Sequence, residues 1–271
     1  MIRSAVTISL VDEARGGPFV FWDDWQAACR AAKELGFDAV EIFAPGPEAI
    51  NVPAWRSVLG ELGLSVAAVG TGAGWVKHKL HLALPDASAR QRAQAFIRSI
   101  IDLGAQFNAP AIIGSMQGRH GDGVDAPTAQ AWLIEGLNQL GAHAKSVGQT
   151  LIYEPLNRYE TNQVNSVESG LRLLEKLAVD NVTLLSDLFH MNIEEVDIAA
   201  ALRQAGRHVG HVHFVDSNRR AAGFGHMDYA PIAAALRDIN YTGYASAEVL
   251  PLPDSLSAAR QTIAAFRRWF R

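Results

Sequence analysis

Residues 151–160 of the chain have the sequence LIYEPLNRYE, a short apolar run that ends at a carboxylate, Glu154, with Pro155 directly behind it. An apolar run of this length predicts a buried strand. An ionisable residue at the edge of a protein core usually has a partner or a function. The sequence therefore indicates that a functional site begins at Glu154.

Three later segments repeat this arrangement of a short apolar run followed by a polar residue. The runs end at Asp187, His213 and Glu248. The four strand ends are separated by 33, 26 and 35 residues, and each gap holds a helical pattern. When parallel strands are joined by helices, every strand delivers its last residue to the same face. The pattern predicts that the four side chains lie near one another.

Two glutamates, one aspartate and one histidine form an oxygen-rich ligand set with a single imidazole. This set suits Mn²⁺, with Mg²⁺ or Co²⁺ as alternatives, better than a structural zinc ion. Each residue taken alone could be a polar strand end in its own hydrogen bond. Because the feature recurs on four consecutive strands, a shared metal site is favoured. Glu41, His78 and His81 are predicted to be structural residues or to lie outside the ligand shell.

The whole chain follows the same alternation of strands and helices. Eight strand and helix pairs fit into 271 residues, about 34 residues for each pair. This predicts an α/β fold, a single (β/α)8 TIM barrel that forms one catalytic domain over residues 1–271. Within it, helices are predicted to end at Gly36 and Gly63, and a long helix to be capped by Asp86. An open doubly wound sheet is the alternative, disfavoured because no GxGxxG turn follows the first strand.

Composition excludes several classes of protein. The chain is 49% hydrophobic and 19% charged, with a net charge of −4 and no basic run, which argues against a nucleic-acid surface. No stretch approaches the roughly 18 consecutive apolar residues of a membrane span. The single cysteine, Cys29, rules out an internal disulfide and is predicted to be a small buried helix residue. A cytoplasmic protein fits these features.

Further residues near the strand ends are candidates for binding a substrate. His190 and Arg219 are predicted to lie in loops after the second and third of these strands, and Glu160 lies six residues after Glu154. Trp75 follows a glycine-rich turn and offers an apolar wall to the face of a sugar ring. Arg119 is a candidate for binding an anionic group. The alternative for each is a solvated loop residue or, for the tryptophan, a loop anchor.

At these residues the chain resembles the sugar isomerase and epimerase superfamily of xylose-isomerase-like barrels. Its ketose 3-epimerase branch is matched by the motifs EPLNRYET (154–161), DLFHMNIEE (187–195), HVHFVDSNR (211–219) and GFGHMDY (223–229). The likeness is closest to the 5-keto-L-gluconate epimerases when three more motifs are added, VGTGAG (69–74), IIGSMQGR (112–119) and EVLPLP (248–253). The resemblance covers nearly the whole chain and is weakest before residue 37 and over residues 75–84. One departure is Ala222, where the family usually has proline.

The resemblance implies a metal-dependent isomerase that inverts the carbon next to the ketone of a keto-sugar or keto-sugar acid through an enediolate. The substrate would be a keto-sugar acid such as 5-keto-L-gluconate or tagaturonate, or a ketose that is inverted at C3. The protein would form a homodimer or homotetramer. Carried over by position, the metal ligands are Glu154, Asp187, His213 and Glu248. The two glutamates would transfer the proton, and the substrate contacts would be Glu160, His190 and Arg219.

Three other functions share parts of this pattern. An aldose-ketose isomerase of the hydroxypyruvate isomerase type would use the same metal and carboxylates, but the SNR and GFGH motifs favour the epimerases. A metal-dependent endonuclease on the same barrel would need further ligands and a basic surface, which the net charge of −4 argues against. A sugar-binding barrel without activity is the third alternative.

Overall fold

The computed structural model describes all residues of the chain, Met1–Arg271, and its central feature is a closed barrel of parallel strands. The ring closes because the first strand pairs with both the second and the last strand of the barrel. The prediction of a (β/α)8 barrel is confirmed, and the open sheet is excluded. The strands are β1 (Arg3–Ser9), β2 (Phe21–Trp22), β3 (Ala39–Phe43), β4 (Ser65–Gly70), β5 (Ala111–Ile113), β6 (Leu151–Tyr153), β7 (Val182–Asp187), β8 (Val209–His213) and β9 (Tyr244–Ala247).

The two-residue strand β2 is not one of the eight barrel strands. It pairs with Ile8 and Ser9 of β1, whereas β9 pairs with the earlier part of that strand, from Arg3 to Val6. The first helix begins at Trp25, three residues after this short strand ends. Asp24 sets this start, because its side chain accepts a hydrogen bond from the backbone N–H of the third residue after it.

The helices surround the barrel, and most begin after an acidic or polar cap. Asp86 accepts hydrogen bonds from two backbone N–H groups of the long helix that follows it, as predicted. Gly36 and Gly63 end the first two helices with left-handed backbone angles. No helix has both the length and the apolar character that crossing a membrane requires. The helices are α1 (Trp25–Leu35), α2 (Val52–Leu62), α3 (Ala73–His78), α4 (Ala87–Ala105), α5 (Ala126–Ser146), α6 (Val167–Leu174), α7 (Leu188–Glu194), α8 (Ile198–Ala205), α9 (Tyr229–Asp238) and α10 (Ser255–Phe270).

Two short helices, α3 and α7, follow strands β4 and β7. The predicted loop position of His190 was wrong, since it lies in α7, and Trp75, which follows the glycine-rich turn, lies in α3. The cause is clear for α7. Asp187 accepts hydrogen bonds from the backbone N–H groups of Phe189 and His190, so the last residue of β7 also caps the helix that follows.

Small residues fill part of the barrel interior. Ala5, Ala39 and Ala67 form one buried cluster, while the alternate residues of β1, Val6 and Ile8, belong to the large core shared with the helices. The predicted burial of Cys29 is confirmed, and burial raises the pKa of its thiol to about 12. Apolar side chains thus fill part of the barrel interior and the layer between strands and helices. The polar residues at the carboxyl ends of the strands lie outside this packing, at the barrel mouth.

Candidate functional site

The four polar side chains at the strand ends meet in the barrel mouth, as the sequence predicted. Each offers one ligand atom, and these atoms lie within 4.8 Å of one another in the set Glu154, Asp187, His213 and Glu248. Nδ1 of His213 is at the centre, 3.0 Å from Oδ2 of Asp187 and 3.6 Å from one oxygen each of Glu154 and Glu248. Three carboxylates therefore surround one imidazole nitrogen.

Strand register brings these groups together. Asp187 and His213 are directly paired residues of neighbouring strands, β7 and β8. Glu154 follows β6, and its backbone N–H donates to the carbonyl of Ile113 on β5. Glu248 directly follows β9. Backbone pairing fixes the first three positions, and Glu248 is the residue directly after a paired strand, so the cluster stands on the barrel rather than on loops.

Burial and mutual repulsion determine the charge of this cluster. Burial raises the pKa of Glu154 well above its usual value; His213 opposes the shift, whereas Glu248 and Asp187 add to it. Burial also lowers the tendency of His213 to be protonated, but Glu248, Glu41 and the hydrogen bond with Asp187 outweigh this and raise its pKa. Carboxylates packed this closely need positive charge between them.

The residues present fit a divalent cation. Oε1 of Glu154 is buried and has no hydrogen-bond partner in the protein, which is rare for a buried carboxylate oxygen. Three carboxylates with one imidazole make a hard, mainly oxygen donor set of the kind that Mn²⁺ and Mg²⁺ accept. The cluster therefore has both the charge and the donor atoms for a metal site.

Glu41 lies on the other side of the His213 ring. Its Oε1 is 3.2 Å from Nε2 of His213, and its Oε2 is 2.8 Å from Nε2 of His211. Burial disfavours the ionised carboxylate, yet the two histidines outweigh this and lower the pKa of Glu41. Glu41 was predicted to be structural or outside the ligand shell, and it contacts a candidate ligand from outside. His211 was missed, although its spacing of two from His213 on one strand places both rings on the same face.

The three predicted substrate contacts lie beside the metal cluster. Nη1 of Arg219 is 3.0 Å from Oε1 of Glu160, and its Nη2 is 3.4 Å from Oε2 of Glu248. Nε2 of His190 is 3.8 Å from Oε1 of Glu154. Arg219 also lies over the ring of Phe189, with its guanidinium carbon 4.9 Å from the ring centre. These contacts bring the three residues to the same side of the cluster.

A cavity of about 540 Å³ opens above the cluster and is lined by Glu154, His213 and Glu248 together with all three predicted substrate contacts. Trp75 and Arg119, the other two candidates for substrate binding, also line it. Phe19 and Phe43 form a further wall, with their rings stacked at 4.4 Å. This wall was not predicted from the sequence, because Phe19 lies in the loop between β1 and β2, where no periodic pattern marks it.

Comparisons with known proteins agree with this geometry. Residues 29–269 match the family described as the xylose isomerase-like TIM barrel. The chain belongs to this family. An L-ribulose 3-epimerase of Mesorhizobium japonicum is 32% identical over 213 residues, which cover 77% of this chain and 70% of the relative. A D-psicose 3-epimerase of Agrobacterium fabrum is 31% identical over 234 residues, covering 83% of this chain and 81% of the relative.

A solved structure of an L-ribulose 3-epimerase superposes on this xylose isomerase-like barrel with a TM-score of 0.81. The two chains are 25% identical, and the superposition covers 99% of this chain and 94% of the other. The comparisons confirm the predicted superfamily and its ketose 3-epimerase branch, and with them the prediction of an isomerase.

A buried hydrogen-bond network behind the barrel mouth holds the backbone of Glu154. Nε2 of Gln117 donates to the carbonyl oxygens of Glu154 and Gly114, at 2.9 and 3.1 Å. The hydroxyl of Tyr153 donates to Oε1 of the same glutamine at 2.5 Å. Gly114 leaves room for the carboxylate, because a Cβ atom there would overlap Oε2 of Glu154. The position of this carboxylate thus depends on a glycine on the neighbouring strand end.

We expect Gly114→Ala to displace the Glu154 carboxylate and to lower the free energy of unfolding by about 1–3 kcal/mol, as overpacking of a buried site does. Gly60→Ala is the matched control. Gly60 lies within α2 with open space around it, so alanine there should raise stability by up to about 1 kcal/mol. Urea unfolding of both variants, with a crystal structure of the first, measures this. An unmoved carboxylate at unchanged stability would contradict the steric argument.

Proposed function

We propose that this chain is a divalent-metal-dependent epimerase that inverts the carbon next to the ketone of a keto-sugar or keto-sugar acid. The observation that carries this proposal is the convergence of three carboxylates on His213 at the base of a cavity large enough for a sugar. The similarity to L-ribulose and D-psicose 3-epimerases supports the reaction type.

In this proposal Glu154, Asp187, His213 and Glu248 hold the cation, which we propose to be Mn²⁺, with Mg²⁺ or Co²⁺ as alternatives. When bound, such an ion supplies Lewis-acid polarisation of the ketone. Glu41 supports the site by accepting the Nε2 proton of His213, which leaves Nδ1 of that ring to face the carboxylates. A carboxylate behind a ligating histidine fixes both its tautomer and its orientation.

Inversion requires that a proton is removed from one face of a carbon and that a proton is returned to the other face. We assign these two steps to Glu154 and Glu248, since they follow β6 and β9 and approach the cavity from strands separated by two others. Removal of the proton from the carbon beside the ketone gives an enediolate. Burial raises the pKa of both carboxyl groups, which suits groups that alternate between base and acid.

The remaining residues of the cavity hold the sugar. His190, Arg219 and Glu160 offer donors and acceptors for the hydroxyl groups next to the ketone. Trp75 offers an apolar wall for the ring face. Arg119 is our candidate for binding the carboxylate of a keto-sugar acid, because it supplies a guanidinium at the edge of the same cavity.

We expect Glu154→Gln and Glu248→Gln to reduce exchange of the substrate proton with D₂O by at least about 10²-fold, because positioned acid-base groups contribute rate factors of this size. A panel of keto-sugars and keto-sugar acids, incubated with Mn²⁺ in D₂O and freed of metal before proton NMR, reports exchange and product together. Glu135→Gln, on the exposed surface of α5, is the matched control. Full exchange in both site variants would remove these residues from the mechanism. An aldose product would instead indicate the aldose-ketose isomerase.

We expect chelation to abolish activity and Mn²⁺ to restore it. Glu41→Gln should weaken Mn²⁺ binding by about 10–100-fold, because the amide keeps an acceptor at only one of the two oxygen positions that the rings face, and an NH₂ group against His213 would favour the wrong tautomer. Calorimetric titration of the metal-free protein measures this, with Glu61→Gln on the exposed face of α2 as the control. Activity that is indifferent to a strong chelator would exclude the metal site.

The proposed role of Arg119 predicts a preference for acids. We expect kcat/KM to be higher for a keto-uronate than for the matching neutral ketose, and Arg119→Gln to lower only the value for the acid, because a single charge-assisted contact is lost. Steady-state kinetics on the two substrates decide this, with the neutral ketose serving as the internal control. Equal values in the unmodified protein would reject a sugar acid as the preferred substrate.

A further inference from the structure

Asn157 is a buried residue between two of the proposed substrate contacts. Its side-chain Oδ1 accepts a hydrogen bond from the backbone N–H of Tyr159 at 2.9 Å. Its Nδ2 lies 2.7 Å from Nδ1 of His190 and 3.2 Å from Oε1 of Glu160. These three contacts fix the orientation of the amide, because a flipped amide would place its oxygen against a carboxylate and its NH₂ against a backbone donor.

The orientation of this amide determines where His190 carries its proton. An NH₂ group only donates, so Nδ1 of His190 must be the acceptor. The backbone N–H of Asn157 points at the same nitrogen from 3.4 Å. Oε1 of Glu160 is 4.0 Å from Nδ1, beyond hydrogen-bond distance, so it does not compete for a proton there. A neutral imidazole with an acceptor at Nδ1 has its N–H at Nε2.

The Nε2 atom of His190 is the end of the ring that lacks a protein partner. It is buried, has no hydrogen-bond partner in the protein, and belongs to a residue that lines the cavity. It lies 3.8 Å from Oε1 of Glu154, which is also unpartnered. A buried N–H group without an acceptor is costly, and an oxygen of a bound sugar would satisfy it.

We propose that Asn157 is a positioning residue that holds His190 as the Nε2-protonated tautomer, so that His190 donates a hydrogen bond to a substrate oxygen beside the carbon that Glu154 deprotonates. The role in substrate binding rests on the proposed function, whereas the tautomer does not. Asparagine is specifically required at this position. Aspartate has nearly the same shape, but its carboxylate only accepts, so it would draw the proton to Nδ1 and turn a bare nitrogen towards the sugar.

The tautomer can be observed directly by long-range ¹H–¹⁵N NMR of the histidine rings in ¹⁵N-labelled protein with Mg²⁺, a diamagnetic ion, present. The His190 signals are identified by their absence from a His190→Asn variant. In the unmodified protein we expect the proton on Nε2. In Asn157→Asp it should move to Nδ1, and in Asn157→Ala, a second variant in case the first misfolds, the two tautomers should mix. For the Asp variant, kcat/KM should fall about 10–100-fold.

Asn165→Ala is the matched control. Asn165 lies in the same loop, and its Nδ2 donates to the carbonyls of Leu156 and Thr161 without contacting His190. It should leave the tautomer of His190 unchanged, although it removes two hydrogen bonds that shape the loop. A proton on Nδ1, or on both nitrogens, in the unmodified protein overturns the proposal. So does an Asp variant that retains the Nε2 tautomer or full kcat/KM.

The same samples separate this proposal from the proposed function. A sugar panel that shows no deuterium uptake in the unmodified protein would reject the epimerase. The NMR signals of the ring would still decide the assignment of Asn157, because the tautomer is read without turnover.

Discussion

The structure of the barrel mouth follows from one electrostatic constraint, the burial of three carboxylates around a single imidazole nitrogen. Glu154, Asp187 and Glu248 would repel one another in this space if they carried charge without compensation. Arg219 beside Glu248 supplies part of the positive charge. The negative charge that remains uncompensated explains why the donor set suits a divalent cation. A cluster of this kind persists only where rigid elements prevent the side chains from separating.

The barrel supplies this rigidity, and the loops supply the contacts above it. The charged cluster stands on paired strand ends, while Glu41 supports it from within the barrel and Gln117 from behind. Arg219, by contrast, lies in the loop between β8 and α9, and its backbone has a left-handed conformation. This conformation is held by hydrogen bonds from its N–H to Asp216 and from Leu250 to its carbonyl. The strands thus fix the cluster, and the folded loops carry groups towards the cavity.

The sequence allowed the barrel and the four strand ends to be predicted, because both depend on local patterns. An apolar run followed by a carboxylate needs only a few neighbouring residues to be recognised. The missed contacts join residues that are far apart in the sequence, where no local pattern relates them: Glu41 and His211 are 170 residues apart. The helix α7 was missed for a different reason. Its start depends on Asp187 acting as a cap with one oxygen while the other faces His213, which no spacing rule anticipates.

Two histidines of the site have opposite arrangements, and the residue behind each ring explains the difference. Glu41 can only accept, so it takes the Nε2 proton of His213 and leaves Nδ1 to face the carboxylates. Asn157 donates to Nδ1 of His190, which leaves an N–H on the opposite nitrogen. In the proposed function, an acidic residue thus prepares one ring to bind a cation, and an amide prepares the other to donate to a sugar. The proton position of each imidazole is decided by the side chain that contacts the far nitrogen of the ring.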